Sequence, residues 1–322
     1  MNQTIKNLIK KALFVVTFIC LGIHGTNLKA DSSGAQFLNM GVGAQAQAFG
    51  NAYTAQVDNA AAVYWNPSAL ARLEKPGLFF YNTQFANDST FSYASYARPN
   101  SVRNDGWGIA VGRVATESIE SRDSARNSMG SFSASDQFLS LAYGKGLSGQ
   151  WLAGGGITMM RSSIYTYSAT GFALDLTSTY LYSPRTRLSA GIYHIGPNMV
   201  YLNQPYEMPK TLIIGIAHKV TDPATVTGDV QYRINEHKFI YSIGGEFKIG
   251  ENIAIRSGYV SQKSQTKLDT GGVENAMNYL RGLGGGMGIK TFNRFTIDYA
   301  FVPLADMGNT HNFNFTWSFA RN

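Results

Sequence analysis

Apolar and polar residues alternate along much of this chain, most clearly near its C-terminal end. In the segment 312–319, Phe313, Phe315, Trp317 and Phe319 alternate with polar residues. Successive side chains of a β-strand point to opposite faces, so such a strand has one apolar and one polar face. This pattern is typical of a membrane barrel, in which apolar residues face lipid and polar residues face the lumen.

The same period of two recurs in fourteen segments, most of them close to the roughly 9–11 residues that a tilted transmembrane strand needs. An even number of strands returns both chain ends to one side of the membrane, as in bacterial barrels. We therefore predict an all-β fold, a fourteen-stranded antiparallel transmembrane β-barrel. The predicted strands are 78–86, 91–98, 107–114, 135–144, 151–162, 170–182, 186–195, 210–220, 225–234, 239–249, 252–261, 283–292, 294–301 and 311–319.

The connections between these strands differ in length on the two sides of the predicted barrel. With the N-terminus in the periplasm, the long connections 115–134, 196–209 and 262–282 all fall on the extracellular side. The periplasmic connections are mostly short, as expected for outer-membrane barrels.

Composition supports a barrel. Of the 322 residues only 15% are charged, 13% are aromatic and 34 are glycine, whereas soluble domains carry about a quarter charged residues. After residue 30 no apolar run approaches the length of a membrane-spanning helix. A closed barrel is the other structure that satisfies every backbone polar group in lipid.

Residues 1–30 have the character of a cleaved signal peptide. Three lysines, at positions 6, 10 and 11, precede the apolar run 12–23 and a cleavage-like sequence at 28–30. An N-terminal membrane anchor, or a lipoprotein attached through Cys20, are the alternatives. Removing the four lysines of this segment lowers the net charge of +7 by four, to +3, so the charge gives no indication of a nucleic-acid partner. Cys20 is the only cysteine, so a mature chain has no disulfide.

Residues 31–76 lack the alternation and are predicted to form a plug, followed by the barrel at 77–322. The segment contains the motif Tyr64, Trp65, Asn66, Pro67. Asn66 suits a helix N-cap and Pro67 a first helical position, which predicts a short helix over 67–73. Small residues permit close packing, so we expect the plug to lie in the barrel lumen. A plug resting on the periplasmic rim is the alternative.

Strand parity places a set of charged residues on the lumen face. A basic residue facing lipid at mid-depth would cost about 2–4 kcal/mol, so these positions should point inward. We expect opposite charges to pair and to seat the plug, in preference to contacting a substrate. The predicted lumen charges are Asp175, Asp229, Arg233, Glu246, Lys248, Arg256 and Asp298.

No catalytic, cofactor or metal site is predicted. The histidines at 194, 218, 237 and 311 do not have metal-ligand spacing. The glycine-rich run 284–288 lacks the lysine of a phosphate loop, and its glycines are better explained by a bend or by close approach of the plug. Ser189 and His194 are five residues apart and so fall on opposite strand faces, which disfavours an embedded hydrolase.

The two ends of the chain after residue 40 resemble the PorV/PorQ family, within the wider FadL-like group of outer-membrane barrels. The resembling segments are the glycine-rich run 41–55, the run 62–71 around Trp65-Asn66-Pro67, and the stretch 298–311. Ser68 departs from the alanine common in that family, and Asn59 stands after Asp58 where a second acidic residue is frequent. The latter departure argues against a role that needs paired carboxylates there.

The resemblance implies a non-enzymatic component or cargo carrier of type IX-like protein secretion, with the long extracellular loops as the docking surface. A FadL-type transporter for fatty acids or other hydrophobic molecules is the alternative, and an embedded hydrolase is a third, disfavoured class. The expected partners are outer-membrane lipid, the barrel assembly machinery, which the aromatic C-terminal strand would engage, and either a secreted cargo protein or a hydrophobic small molecule. The expected location is the bacterial outer membrane.

Overall fold

The computed structural model describes residues 33–85, 88–261, 282–303 and 309–319. The predicted signal peptide, most of the predicted loop 262–282 and the last three residues lie outside this part of the chain. Four short helical segments precede the first strand: a 3₁₀ helix at Gln36–Asn39, α1 at Ala44–Ala48, α2 at Ala62–Trp65, and a second 3₁₀ helix at Pro67–Arg72. Among the described residues no helix has the length and hydrophobicity of a membrane span.

Strands account for most of the chain that follows. Their bounds are β1 Gly77–Gln84, β2 Ser89–Asn100, β3 Asp105–Arg122, β4 Ser128–Gly146, β5 Trp151–Ile164, β6 Tyr167–Ser183, β7 Thr186–Ile195, β8 Met199–Tyr201, β9 Gln204–Tyr206, β10 Thr211–Lys219, β11 Ala224–Arg233, β12 Lys238–Ile249, β13 Ile253–Val260, β14 Leu283–Thr291, β15 Phe295–Pro303 and β16 Asn309–Ser318.

Fourteen of these strands form one closed antiparallel barrel, which confirms the predicted fold. Each strand pairs with its neighbours in sequence, except that β7 pairs directly with β10. β1 pairs with β16 and closes the barrel, with Gly77 opposite Ser318 and Gln84 opposite His311. The strands β8 and β9 form a separate small hairpin outside the barrel sheet.

One predicted extracellular loop, 115–134, is much shorter than expected, and the prediction was wrong there. Most of 115–134 belongs to β3 and β4, which continue as a pair beyond the membrane and are joined by the short connection 123–127. Both faces of that extension are exposed to water, so its sequence lost the alternation that marks a half-buried strand. The predicted loop 196–209 contains the β8–β9 hairpin, whose three-residue strands are too short to show a period.

The outer surface of the barrel is apolar. Its exposed side chains include Val111, Met159, Ile214, Ile243 and Phe313, which are between 51% and 64% exposed. Their neighbours in the strand point inward and are buried or half-buried. Apolar exposure on this scale is unfavourable in water, and it matches the lipid-facing band of a membrane barrel.

Residues 35–73 fill the lumen. Val42, Ala46, Phe49, Val57 and Leu70 have no measurable exposure, and both α1 and the second 3₁₀ helix pack against the inner faces of several strands. The segment enters beside the extracellular hairpin, where Gly34 N donates to Glu207 O at 2.8 Å. It ends at the periplasmic start of β1, so the plug runs through the lumen and does not rest on its rim.

Candidate functional site: the plugged lumen

The second 3₁₀ helix is anchored at its N-terminal end to strand β6. Asn66 is the N-cap, and its side chain accepts a hydrogen bond from Ser68 N, as predicted, although the helix is 3₁₀ and ends at Arg72. The Asn66 amide also donates to Thr54 O and to Thr179 Oγ1, both at 2.9 Å. Ser68 N donates to Thr177 Oγ1 at 2.9 Å. Asn66 and Ser68 therefore join two parts of the plug to the barrel wall.

The aromatic residues before Asn66 hold the incoming part of the plug. Trp65 Nε1 donates to Val42 O at 2.8 Å. The Tyr64 hydroxyl donates to Leu38 O at 2.8 Å and also reaches Met40 O. On the wall side, the Tyr193 hydroxyl donates to Trp65 O at 2.8 Å. These side chains are thus engaged in folding the plug onto itself and onto β7.

Asp229 on β11 connects the barrel wall to the plug through three hydrogen bonds. Its Oδ2 accepts hydrogen bonds from Tyr53 N at 3.1 Å, Thr54 N at 3.0 Å and Thr54 Oγ1 at 2.9 Å. The residue is 2% exposed. A carboxylate that accepts backbone N–H groups is a strong, charge-assisted acceptor, so Asp229 fixes the turn that follows α1.

Three charged residues of the wall form one buried ion cluster. Arg256 Nε lies 2.7 Å from Glu246 Oε2, and Arg256 Nη1 lies 2.6 Å from Asp298 Oδ1. Asp298 continues to the plug, because its Oδ2 accepts from Asn314 and Asn314 Oδ1 accepts from Gln45 N at 3.2 Å. The Arg256 guanidinium also stands 6.0 Å from the centre of the Phe49 ring. The cluster therefore supports α1 from its periplasmic side.

Of the remaining predicted lumen charges, Lys248 contacts the cluster through Glu246, whereas Arg233 and Asp175 do not join these contacts. Lys248 has the inward parity but lies exposed at the periplasmic end of β12, with Nζ 3.7 Å from Glu246 Oε1. Arg233 is half-buried near the extracellular end of β11 and pairs with Glu236 at 3.2 Å. Asp175 accepts a hydrogen bond from His194 N at 2.8 Å, where β6 and β7 shift register, and so shapes the wall.

Glycines on the inner face let the plug backbone approach the wall. A Cβ atom on Gly154 would overlap Ser68 N, and one on Gly258 would overlap the Phe49 carbonyl group. A Cβ atom on Gly284, in the glycine-rich run, would likewise lie only 2.5 Å from Gln47 O. Close packing by glycine is one of the roles expected of strand glycines.

The plug separates two cavities of the lumen. A cavity of about 70 Å³ lies on the extracellular side and is lined by residues of the plug, including Leu38, Tyr64 and Trp65, and of the wall, including Ile213, Arg233 and Val260. A polar cavity of about 510 Å³ lies at the periplasmic mouth and is lined by Asp58, Arg72, Arg187, Glu246, Lys248 and Asp298, among others.

A hydrogen-bonded layer of plug side chains lies between the cavities. The Tyr53 hydroxyl donates to Gln45 Oε1 at 2.8 Å, and Asn59 Nδ2 donates to the same oxygen at 3.3 Å. On the periplasmic side of this layer, Arg72 donates a hydrogen bond to Val57 O. Burial, with Arg187 nearby, lowers the pKa of the Arg72 guanidinium to about 10. This layer and Phe49 would have to move for a solute to pass from one cavity to the other.

Other reactive groups are accounted for by local contacts. Ser189 is buried, with Oγ 3.0 Å from Thr54 Oγ1, and His194 Nδ1 lies 3.3 Å from Pro209 O. Among the described residues no group of three histidine, cysteine, aspartate or glutamate side chains could hold a metal ion. The sequence analysis expected lumen charges to seat the plug but did not identify the plug residues that the wall contacts; the signal available was the inward parity of glycines such as Gly154 and Gly258.

No protein-family model and no curated protein matches this chain. Solved structures do match it. The Pseudomonas putida toluene transporter TodX aligns with a TM-score of 0.65 and 12% identity, over 88% of this chain and 99% of TodX. The Ralstonia pickettii toluene transporter TbuX aligns with a TM-score of 0.61 and 14% identity, over 87% and 99% of the two chains. A Pseudomonas aeruginosa FadL homologue aligns at 0.56 and 10%, over 87% and 98%.

These matches extend over most of both chains at low identity, so they concern the fold. The closed barrel described above is thus a fold that this chain shares with these solved structures.

Proposed function

We propose that this protein is a FadL-type conduit that carries small hydrophobic molecules, such as fatty acids or hydrocarbons, across the outer membrane. The observation that carries the proposal is the plugged lumen. Throughout the part of the chain that the structure describes, fully buried plug side chains separate the extracellular and periplasmic cavities, so the barrel is not built as an open aqueous pore. A FadL-like barrel closed in this way suits solutes that are released only when the plug shifts.

The small extracellular cavity supports the same mechanism. Its volume of about 70 Å³ is less than half of the roughly 150 Å³ of an engineered apolar cavity that binds benzene. A hydrocarbon would therefore need Tyr64, Trp65 or the segment 38–41 to move before it could be accommodated. Because Tyr64 and Trp65 donate hydrogen bonds to backbone carbonyl groups of residues 38, 40 and 42, such a movement would be transmitted along the plug.

The resemblance to PorV/PorQ gives a second candidate, a carrier of cargo in type IX-like secretion. It rests on the sequence motifs around Trp65-Asn66-Pro67 and at 298–311. Of the three long loops proposed as its docking surface, 115–134 is mostly strand and 196–209 contains the β8–β9 hairpin. The solved hydrocarbon channels share the architecture, which favours the transporter as the main proposal.

Mass spectrometry on protein extracted from native outer membrane in mild detergent distinguishes the two functions. The conduit predicts fatty acids or hydrocarbons in the purified sample, at a level that falls when bulky residues fill the extracellular cavity, as in Ile213→Trp. A matched control is Ile214→Trp, which faces lipid. Stoichiometric polypeptides that share a C-terminal domain, without a bound hydrophobic molecule, would overturn the conduit and support cargo transport.

A further inference from the structure

Two rows of outward-facing side chains cross six neighbouring strands on one side of the barrel. The lower row is apolar: Phe80, Ala94, Val111, Leu139, Met159 and Phe172 are successive register partners from β1 to β6. The upper row, two residues toward the extracellular side on each strand, is polar: Asn82, Ser92, Arg113, Gln137, Arg161 and Thr170.

These two rows line an open concavity of about 1360 Å³ on the outer surface of the barrel. The inward residues between the rows, such as Tyr93 and Phe138, are 3% and 5% exposed, whereas Val111 and Met159 are 51% and 63% exposed. The space therefore lies outside the wall. Small side chains, at Ser92 and Ala94, stand between the larger Phe80 and Val111, which leaves room for an acyl chain.

Charge is concentrated in the upper row. Arg113 and Arg161 are both register partners of Gln137, so with strands about 4.8 Å apart their backbones are about 10 Å apart. Both are exposed, and among the described residues neither forms an ion pair. Arg161 Nη2 lies 3.4 Å from Ser168 Oγ, one step further toward the extracellular side. Both guanidinium groups can thus reach a single anion in front of Gln137.

The rest of the barrel surface differs. The outward positions of the described strands β7 and β10–β16 carry no lysine, arginine, aspartate or glutamate. Outward basic residues elsewhere, Arg98 and Lys145, lie at the periplasmic ends of β2 and β4. An arginine that faces lipid costs little only near the membrane interface. The upper row therefore marks the level of the outer-leaflet head groups, and its cations face anionic groups there.

We propose that this concavity binds a phosphorylated, multiply acylated glycolipid of the outer leaflet, of the lipid A type. Arg113 and Arg161 bind a phosphate from both sides, Gln137 donates a hydrogen bond to it, and the lower row packs against the acyl chains. Charge complementarity at the head-group level, directly above an apolar surface, selects an anionic amphiphile over a free anion or a neutral lipid. This site is independent of the lumen and of the proposed conduit.

The test measures binding of purified protein in detergent to bis-phosphorylated lipid A and to the same lipid after phosphate removal. We expect wild type to prefer the phosphorylated lipid by about tenfold or more, because two charge-assisted contacts are made. The double variant Arg113→Gln/Arg161→Gln should lose that preference. The matched control Arg98→Gln/Lys145→Gln removes the same charge at the other membrane face and should keep it. A difference in electrophoretic mobility between heated and unheated samples verifies that each variant is a folded barrel.

A second variant tests the acyl surface. Ala94→Trp fills the concavity without altering charge and should weaken binding of both lipids. Equal binding by wild type and the arginine double variant, or equal affinity for the two lipids, would overturn the proposal. Displacement of the lipid by millimolar inorganic phosphate would also overturn it, since the site would then be a plain anion site.

Discussion

Removing the Asp229 carboxylate should free the middle of the plug while leaving the barrel closed. In Asp229→Ala, the backbone N–H groups of Tyr53 and Thr54 lose the acceptor that they share, and both are buried where water does not replace it. Each buried unpaired donor costs about 1–3 kcal/mol. The local stability of the segment around Thr54 should therefore fall by about 2–6 kcal/mol for the two donors together.

Hydrogen–deuterium exchange measures this change directly. A loss of about 3 kcal/mol corresponds to exchange about 100-fold faster at the amides of Tyr53 and Thr54, while the barrel amides of β11 keep their protection. Asp229→Asn keeps a side-chain acceptor and should show a smaller effect. The matched control Asp222→Ala removes an exposed carboxylate from the periplasmic turn, where it pairs with Lys219, and should leave the plug unchanged.

Unaltered exchange at Tyr53 and Thr54 in Asp229→Ala would refute the reasoning, because the three contacts would then contribute nothing to holding the plug. Equally fast exchange in the β11 strand would also refute it, since the carboxylate would then support the wall and not the plug. If the lumen is a conduit, the same variant should admit a hydrophobic fluorescent probe into reconstituted vesicles faster than wild type.

Three further substitutions test other contacts of the plug and wall. Asn66→Ala removes the N-cap and the hydrogen bonds to Thr54 O and Thr179 Oγ1, so limited proteolysis should cleave within 66–76 at a lower protease concentration than in the control. The control is Ser148→Ala, a change in an exposed periplasmic turn. Identical cleavage of the two variants would show that the cap is dispensable. Arg256→Gln leaves Asp298 buried without its cation and leaves Glu246 with only the exposed Lys248 nearby. The change should lower the unfolding free energy by about 3–5 kcal/mol, with recovery when Glu246→Gln and Asp298→Asn are added. A thermal midpoint equal to wild type would contradict the buried cluster. Gly154→Val should displace the second 3₁₀ helix because its side chain would overlap Ser68 N, whereas Gly155→Val, on the outer face, should not. Near-ultraviolet circular dichroism reports the environment of the aromatic side chains and measures this difference. Matching spectra for the two variants would contradict the prediction.

The wall could be predicted because one physical rule governs it. Residues such as Phe313 and Asn314 must face lipid and lumen in turn, so period alone gives fourteen strands and the inward side of Asp229, Arg256 and Asp298. The rule failed at 115–134, where both faces of the β3–β4 extension meet water and nothing requires alternation. It also missed β8 and β9, whose strands span less than two periods.

The plug could not be predicted in the same way. Its contacts join residues far apart in the chain, such as Thr54 and Asp229, which are separated by 175 positions. No period links Asn66 to Thr179 or Gln45 to Asn314. Their meeting depends on the three-dimensional path of the plug, and that path depends on which inward positions are glycine.

The path of the plug also constrains the order in which the protein folds. Residues 35–73 continue directly into β1, and β1 is the strand that closes the barrel against β16. Inner-wall glycines at 154 and 258 leave no clearance beside the plug backbone, so a finished barrel offers no route by which the segment could thread inward. We therefore expect the seam between the first and last strands to form around a plug that is already in place, with the plug acting as a template for barrel closure.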